Sequence, residues 1–403
     1  MQNIIKPELL APAGNLEKLK IALLYGADAV YVGGHVFGLR KYADNFTNKQ
    51  LKMAIDFANS LNKHVYLVLN GFAHNDDLQS INDYFDQLNI IQPHALIISD
   101  MGVVQLAKER TNIPIHVSTQ ASVTNKYTCQ LYKEAGAKRI ILAREVSAQE
   151  CIEIKEHLDV ELEVFIHGAM CASYSGKCII SNYSAGRDSN RGGCVQSCRH
   201  NYQLFNAETN EYIENSHIMN AKDLMAVSVL PNLLKSGVDS LKIEGRMKSN
   251  MYVANACKIY REAIDYCYDC LINNQAIDPN KITAWENELK KVSNRGFSTG
   301  GLENRPFKQS IRYEFDKYDK SVEFVGTVKH VTDTHLIVEN KFPFSIGDTL
   351  ELVSPSYKTQ FFKVTKFTNL NGEPLEKSKP NSLVAIPFDG KKEYLGILRR
   401  STL

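Results

Sequence analysis

The feature that most constrains the fold is an alternation running from Glu8 to about Arg246. Short apolar runs recur at residues 8–14, 29–34, 64–70, 95–100, 115–120, 139–145, 164–168 and 240–245. They are rich in Val, Ile and Leu, as strands buried on both faces of a parallel sheet would be. Helical patterns fill the gaps. The first, 15–24, begins with Asn15 in an N-cap position, and others follow at 48–61, 77–90, 101–110, 125–134 and 148–157. Eight strands each followed by a helix is the arithmetic of an α/β fold, the (βα)8 TIM-like barrel. A doubly wound open sheet is the alternative, but no G-x-G-x-x-G follows the first strand.

Beyond Arg246 the texture changes. Helical stretches at 250–273 and 282–294 lead into a Gly- and Pro-bearing connector, 295–306. From about Ser321 the chain breaks into short β-rich runs, for example 322–328, 335–338, 360–364 and 383–386. The expectation is two domains: a barrel over 1–310, and a small all-β, barrel-like domain over 320–403. Near the end stand Lys391, Lys392, Arg399 and Arg400, which a solvated surface explains as well as RNA does.

Four of the nine cysteines fall in one window, Cys171, Cys178, Cys194 and Cys198, spaced C-x6-C-x15-C-x3-C on a Gly-, Ser- and Arg-rich segment. That segment leaves the seventh predicted strand and so hangs over the barrel mouth. Met1–Pro7 lacks the apolar core of a signal peptide. No apolar run approaches the roughly 20 residues that span a bilayer. The expected location is therefore cytoplasmic, without membrane contact, where thiols stay reduced and clustered cysteines mean metal more often than cross-links. Structural zinc prefers two close C-x2–4-C pairs, and only the second pair is close here. An iron–sulfur cluster tolerates irregular spacing because four thiolates surround a larger core. The spacing ranks a cluster first, zinc second and four unrelated thiols third. Cys129, Cys151, Cys257, Cys267 and Cys270 lie on predicted helices and read as packing residues.

Barrels place their chemistry at the C-terminal ends of the strands. Those ends carry Asn70, Asp100, Ser118, Thr119, Gln120, Arg144, Glu145, His167, Glu244 and Arg246. Helix capping accounts for some of them. His167 and Glu244 are the candidates for acid/base work. Arg144, Arg187, Arg191, Arg199 and Arg246 are the candidate substrate-binding cations, for the phosphates or dicarboxylate that the family resemblance described below implies. There is no H-E-x-x-H, no G-x-S-x-G and no P-loop. The net charge of +2 neither demands nor excludes nucleic acid.

Several motifs together resemble the collagenase-like peptidase U-32 family. They are Glu8-Leu9-Leu10-Ala11-Pro12-Ala13-Gly14, Gly26-Ala27-Asp28-Ala29-Val30-Tyr31, Phe165-Ile166-His167-Gly168-Ala169 with Cys171, and Ser175-Gly176-Lys177-Cys178. Asn190-Arg191-Gly192-Gly193-Cys194-Val195-Gln196-Ser197-Cys198-Arg199 and Lys242-Ile243-Glu244-Gly245-Arg246 complete the set. The resemblance covers the barrel, and the β-rich tail is similar to that family's C-terminal domain. It implies one of two activities. The older label is a peptidase of unknown catalytic type. The newer is RNA modification, in which members of this layout support prephenate-dependent 5-hydroxylation of the wobble uridine of tRNA. In those members the four cysteines are taken to bind an iron–sulfur cluster, of 4Fe–4S type, at the positions of Cys171, Cys178, Cys194 and Cys198. The implied partners are tRNA, prephenate and, as an open question, a paralogous partner subunit. A third reading is a non-catalytic RNA-binding protein with structural zinc.

Overall fold

The structure is a computed structural model that describes residues 4–35, 45–306, 308–315 and 317–402. Eight parallel strands form its centre: β1 (Glu8–Pro12), β2 (Ala29–Gly33), β3 (His64–Leu69), β4 (Ala95–Ile98), β5 (Ile115–Val117), β6 (Arg139–Ile141), β7 (Glu161–Gly168) and β8 (Ser240–Ile243). Neighbours pair in chain order, and β8 pairs with both β7 and β1, so the sheet closes into a barrel. The eight apolar runs read from the sequence are these eight strands. A helix follows each: α1 (Leu16–Leu24), α2 (Asn48–Ser60), α3 (Asn75–Ile91), α4 (Met101–Arg110), α5 (Lys126–Glu134), α6 (Ala148–His157), α7 (Leu230–Lys235) and α8 (Asn250–Ile272).

The strand-to-helix turns are set by short polar side chains. Asn15 accepts the Lys18 N–H, Asp100 that of Val103 and Asn125 that of Thr128, each at 3.0 Å. Thr47 and Ser147 close reciprocal capping boxes with Gln50 and Glu150. Asp100, one of the polar groups at the strand ends, is thus engaged in capping. The apolar face of each helix packs on the barrel wall in one continuous core that includes Leu9, Val30, Leu67, Leu96, Ile140 and Leu241.

The lower interior of the barrel is charged. Arg139 bonds Glu8 at 2.5 Å and Glu161 at 2.9 Å, and Tyr66 donates to the second Glu8 oxygen at 2.6 Å. Lys242 donates to fully buried Glu163 at 2.7 Å, and Arg139 reaches the other Glu163 oxygen at 3.4 Å. Burial pushes the Lys242 amine below its ordinary pKa while Glu163 pulls it back up.

The segment between β7 and α7 is a long insertion. It holds the cysteine window, a hairpin (Tyr202–Phe205 with Tyr212–Ser216) and a short strand, Asp223–Met225. That strand lies antiparallel on the upper end of β7 and carries Phe297–Ser298 alongside it. The connector after α8 is thereby folded back over the barrel's upper face. Asp223 and Arg295, both buried, fasten it through contacts of 2.6 and 3.1 Å.

The C-terminal region forms a seven-stranded antiparallel half-barrel. Its strand order is Gln360–Lys363, Thr349–Val353, Ile397–Ser401, Val322–Val331, His335–Asn340, Leu383–Pro387, Thr368–Asn369. It has its own core around Val325, Val328, Leu336, Phe344, Leu350 and Phe367. It docks on the outside of the barrel, where Tyr25 donates to Val353 O at 2.7 Å and Lys329 pairs with Glu17 at 2.7 Å. Arg399 is buried against Glu351 and Glu288, and Arg400 pairs with Asp348 and Glu323. These two arginines hold the domain together and are no open basic patch.

Among the described residues, no helix is long and apolar enough to cross a membrane.

Candidate functional site

The cysteine-bearing segment lies across the barrel mouth and is pinned to three strand ends. At β3, Arg191 donates to Asp77 at 2.7 Å and to Phe72 O at 2.8 Å, and Phe72 N donates to Asn190 O at 3.1 Å. At β5, Gly176 presses onto Gln120, where a Cβ would stand 2.1 Å from the carbonyl oxygen; its φ of +76° also requires glycine. At β6, Ser175 accepts from the Arg144 N–H at 3.1 Å and donates its own N–H to Glu145 at 3.1 Å. Within the segment Asn190 donates to Cys178 O at 3.1 Å. The result is a lid held by polar contacts rather than by a core.

All nine cysteines are free, and they divide cleanly. Cys129, Cys151, Cys257, Cys267 and Cys270 are buried in helices, as expected of packing residues. Burial pushes the thiols of Cys129, Cys151 and Cys257 up to about 12. The four lid thiols are exposed (Cys171, Cys194) or half-buried (Cys178, Cys198). Burial raises the Cys198 pKa, Arg199 pulls it back, Cys171 and Cys194 push it up again, and Arg295 opposes them. The Cys198 sulfur therefore senses the charges of Cys171 and Cys194 and of two guanidiniums nearby. Among the described residues no three His, Cys, Asp or Glu side chains already surround a single ion. As a donor set the lid fits a thiolate-bound group: four uncommitted sulfurs, reachable from solvent, carried on turns with cationic neighbours.

Beneath the lid is a small cavity of about 90 Å³ inside the barrel mouth. Tyr31, Phe165, Arg144, Lys242, Glu244 and Arg246 contribute to its wall, with Asn70 and Ser118 opposite. The Arg144 guanidinium lies 4.2 Å over the Phe165 ring. Arg246 is buried and donates to Asn45 at 3.0 Å. Its guanidinium lies flat against the end of β2 because residue 33 is glycine; a Cβ there would be 2.5 Å from Nη2. Lys242, which the sequence reading did not single out, has its ammonium 4.6 Å from the Tyr31 ring centroid. A charged residue inside an otherwise apolar strand run was the signal that could have found it.

Of the two acid/base candidates the structure brings only Glu244 to this cavity. His167 does not reach it, and a β-bulge is the reason. Lys242 pairs with Phe165 but the next residue, Ile243, pairs with His167, so β7 carries one extra residue. Simple alternation puts His167 on the Phe165 face; the bulge turns it outward. There its ring packs against Tyr252, Tyr260 and Phe297 at 5.4–5.6 Å, and Tyr260 OH stands 3.3 Å from Nδ1. Nε2 is buried without a partner, and burial holds the imidazole down to about 4.

The five arginines also separate. Arg144 and Arg246 face the mouth cavity. Arg191 is engaged with Asp77, which raises its pKa and lowers that of the carboxylate. Arg199 bonds Gln196 beside Cys198. Arg187 is half-buried on the turn after Ile180–Ala185, its N–H on Ser181 O at 3.1 Å.

A closed (βα)8 barrel with a thiol-bearing lid across its mouth, and a β half-barrel on its flank, defines a class of protein. The chain belongs to Peptidase family U32: residues 14–312 match that family and residues 320–399 match the Peptidase family U32 C-terminal domain. Similar proteins include "tRNA hydroxylation protein P1" of Bacillus subtilis, 38% identical over 98% of this chain and 95% of its own. "tRNA hydroxylation protein P" of Helicobacter pylori is 44% identical over 75% of this chain and 73% of its own. "Collagenase" of Porphyromonas gingivalis is 32% identical over 74% of each chain.

Proposed function

We propose that this protein is an enzyme of RNA modification that takes part in hydroxylation of tRNA. More narrowly, we propose prephenate-dependent 5-hydroxylation of the wobble uridine. The similarity to tRNA hydroxylation proteins over nearly the whole chain supports the first statement. The observation that carries the reading is a set of four uncommitted thiols on a lid that Gly176 and Ser175 anchor to Gln120 and Arg144, two residues of the cation-walled cavity. Cys171, Cys178, Cys194 and Cys198 would hold an iron–sulfur cluster. Such a group, when bound, supplies the one-electron chemistry that placing oxygen on a pyrimidine carbon requires.

The chain's own residues suit the remaining tasks. Arg144 and Arg246 offer two guanidiniums to the carboxylates of a small acid such as prephenate. Lys242 adds positive potential from below, inside a wall of low dielectric. Glu244 is the carboxylate placed to hold or move a proton at the cavity rim.

The family's peptidase label is the competing reading. A peptidase needs a nucleophile beside a base, or metal-bound water. His167 is sealed behind the barrel wall with a pKa of about 4, which suits neither role.

The test is a deletion strain of the source organism whose tRNA nucleosides are read by mass spectrometry. The 5-hydroxyuridine family should disappear, return with the wild-type gene, and stay absent with Cys194→Ala or in a strain unable to make prephenate. Unchanged tRNA nucleosides would overturn the proposal. Anaerobic purification with iron, sulfide and zinc analysis separates cluster from zinc. Cleavage of gelatin by cluster-free protein would support the peptidase.

A further inference from the structure

Beside the mouth lies a second, larger space that the sequence reading did not anticipate. It is an open groove of about 760 Å³. One wall is the start of the lid, Met170 to Tyr174, including Cys171; the other is formed by connector residues within 298–306 and 308–313. Its floor is the turn after β6, where Arg144 belongs to both the groove and the mouth cavity. The connector wall is held by backbone bonds, Lys222 N to Ser310 O at 2.8 Å and His217 N to Tyr313 O at 3.0 Å.

Three features of the lining point the same way. Two tyrosines stand open to solvent, Tyr174 at 62% and Tyr313 at 44% exposure, although large rings usually bury their faces. Four cations (Arg144, Lys222, Arg305, Lys308) outnumber two acids (Glu145, Glu150). Three polar atoms along the lining are buried without any hydrogen-bond partner: Arg144 Nε, Glu145 Oε2 and Ser173 Oγ. Arg144, Glu145 and Ser173 add a donor, an acceptor and a hydroxyl to the lining, which suits a ligand with polar edges.

We infer that this groove takes a single-stranded RNA segment, with bases stacked on Tyr174 and Tyr313, phosphates met by Lys222 and Lys308, and a base edge presented to Arg144, Glu145 and Ser173. Single strands are read by stacking and by edge contacts on splayed bases, which this combination provides. Arg144 then joins the strand to the mouth cavity beneath the thiols. The inference rests on the RNA-modification reading and adds to it the surface that receives the strand.

The test uses the full-length protein and a fluorescent 17-nucleotide anticodon stem–loop RNA, with binding followed by anisotropy across a salt series. Each of Tyr174→Ala and Tyr313→Ala should weaken binding about 5- to 150-fold, the range of one base–aromatic stack. Lys222→Glu with Lys308→Glu should weaken it and flatten the log–log salt slope by about 1.4, two single-strand phosphate contacts. Lys391→Glu with Lys392→Glu, on the distant half-barrel, should bind as wild type. Tyr174, Tyr313, Lys308 and Lys391 are exposed and Lys222 and Lys392 half-buried, and an unchanged circular dichroism melt confirms folding. Wild-type affinity in both groove variants would overturn the assignment while the RNA reading stood. Loss in the lysine pair alone would overturn base stacking. A wild-type protein that binds no RNA would overturn both the groove and the function it rests on.

Discussion

The two ends of this barrel are built from the same kinds of residue and treat them in opposite ways. At the lower end Glu8, Arg139, Glu161, Glu163, Lys242 and Tyr66 meet one another at 2.5–3.4 Å, each charge facing its opposite. At the upper end Arg144 Nε, Glu145 Oε2 and Ser173 Oγ are buried without partners, and four thiols are left free. Buried charge is tolerated only when paired and hydrogen-bonded. Although His116 Nδ1, beside Tyr66, is buried without a partner, the paired charges of the lower end serve stability, and the less satisfied upper end keeps a capacity for something that binds. The contrast assigns folding to the bottom of the barrel and chemistry to the top, the usual division in this fold.

The contrast can be broken most easily at Glu163. Glu163→Ala leaves two buried cations without their shared anion and should cost about 3–5 kcal/mol in chemical denaturation. A loss under about 1 kcal/mol would show that the lower network does not serve stability. The second effect is that of pH on His167. Its folded pKa of about 4 lies below the ordinary 6.5, so the unfolded chain binds the extra proton between those values. Stability from this group is fully present above about pH 6.5 and lost as pH falls toward 4. The loss amounts to about 3 kcal/mol. His167→Leu should remove that component, and identical pH–stability slopes in the two proteins would refute the sealed position.

At the upper end activity should move more than stability. Arg144→Gln loses the stack on Phe165 and should cost about 0.5–1 kcal/mol of stability yet lower tRNA modification at least about tenfold, near 1.4 kcal/mol of barrier. Equal losses in both would erase the distinction between the two ends. The smallest stability effect is expected at the lid latch. The Arg191–Asp77 pair is partly exposed, so Arg191→Ala should cost about 1 kcal/mol or less in unfolding experiments. Faster proteolytic nicking within the lid would reveal the lost tether.

Much of the fold was legible because barrel strands are buried on both faces and announce themselves as apolar runs. The caps at Asn15, Asn48's neighbour Thr47 and Ser147 act through three-residue contacts that leave local traces. The thiol group was legible from density and spacing within one window. His167 was misplaced because a bulge is a property of pairing between β7 and β8, strands about 75 residues apart. Arg191 looked like a substrate arginine because no local pattern reveals that Asp77, 114 residues earlier, stands ready to receive it; the Arg199 bond to Gln196 spans only three residues and was open to a local reading. The half-barrel's Arg399 and Arg400 misled in the same way.

The sequence by itself determined the barrel, the flanking β domain, the thiol-bearing insertion and the family, all of which depend on local periodicity or contiguous motifs. Tertiary structure alone decided which face His167 shows, which arginines remain at the mouth, and that residues 298–306 and 308–313 return to wall a groove beside Cys171. Those outcomes depend on strand register and on contacts between distant segments. Such contacts are set by packing energies summed over the whole fold and leave no trace in the order of neighbouring residues.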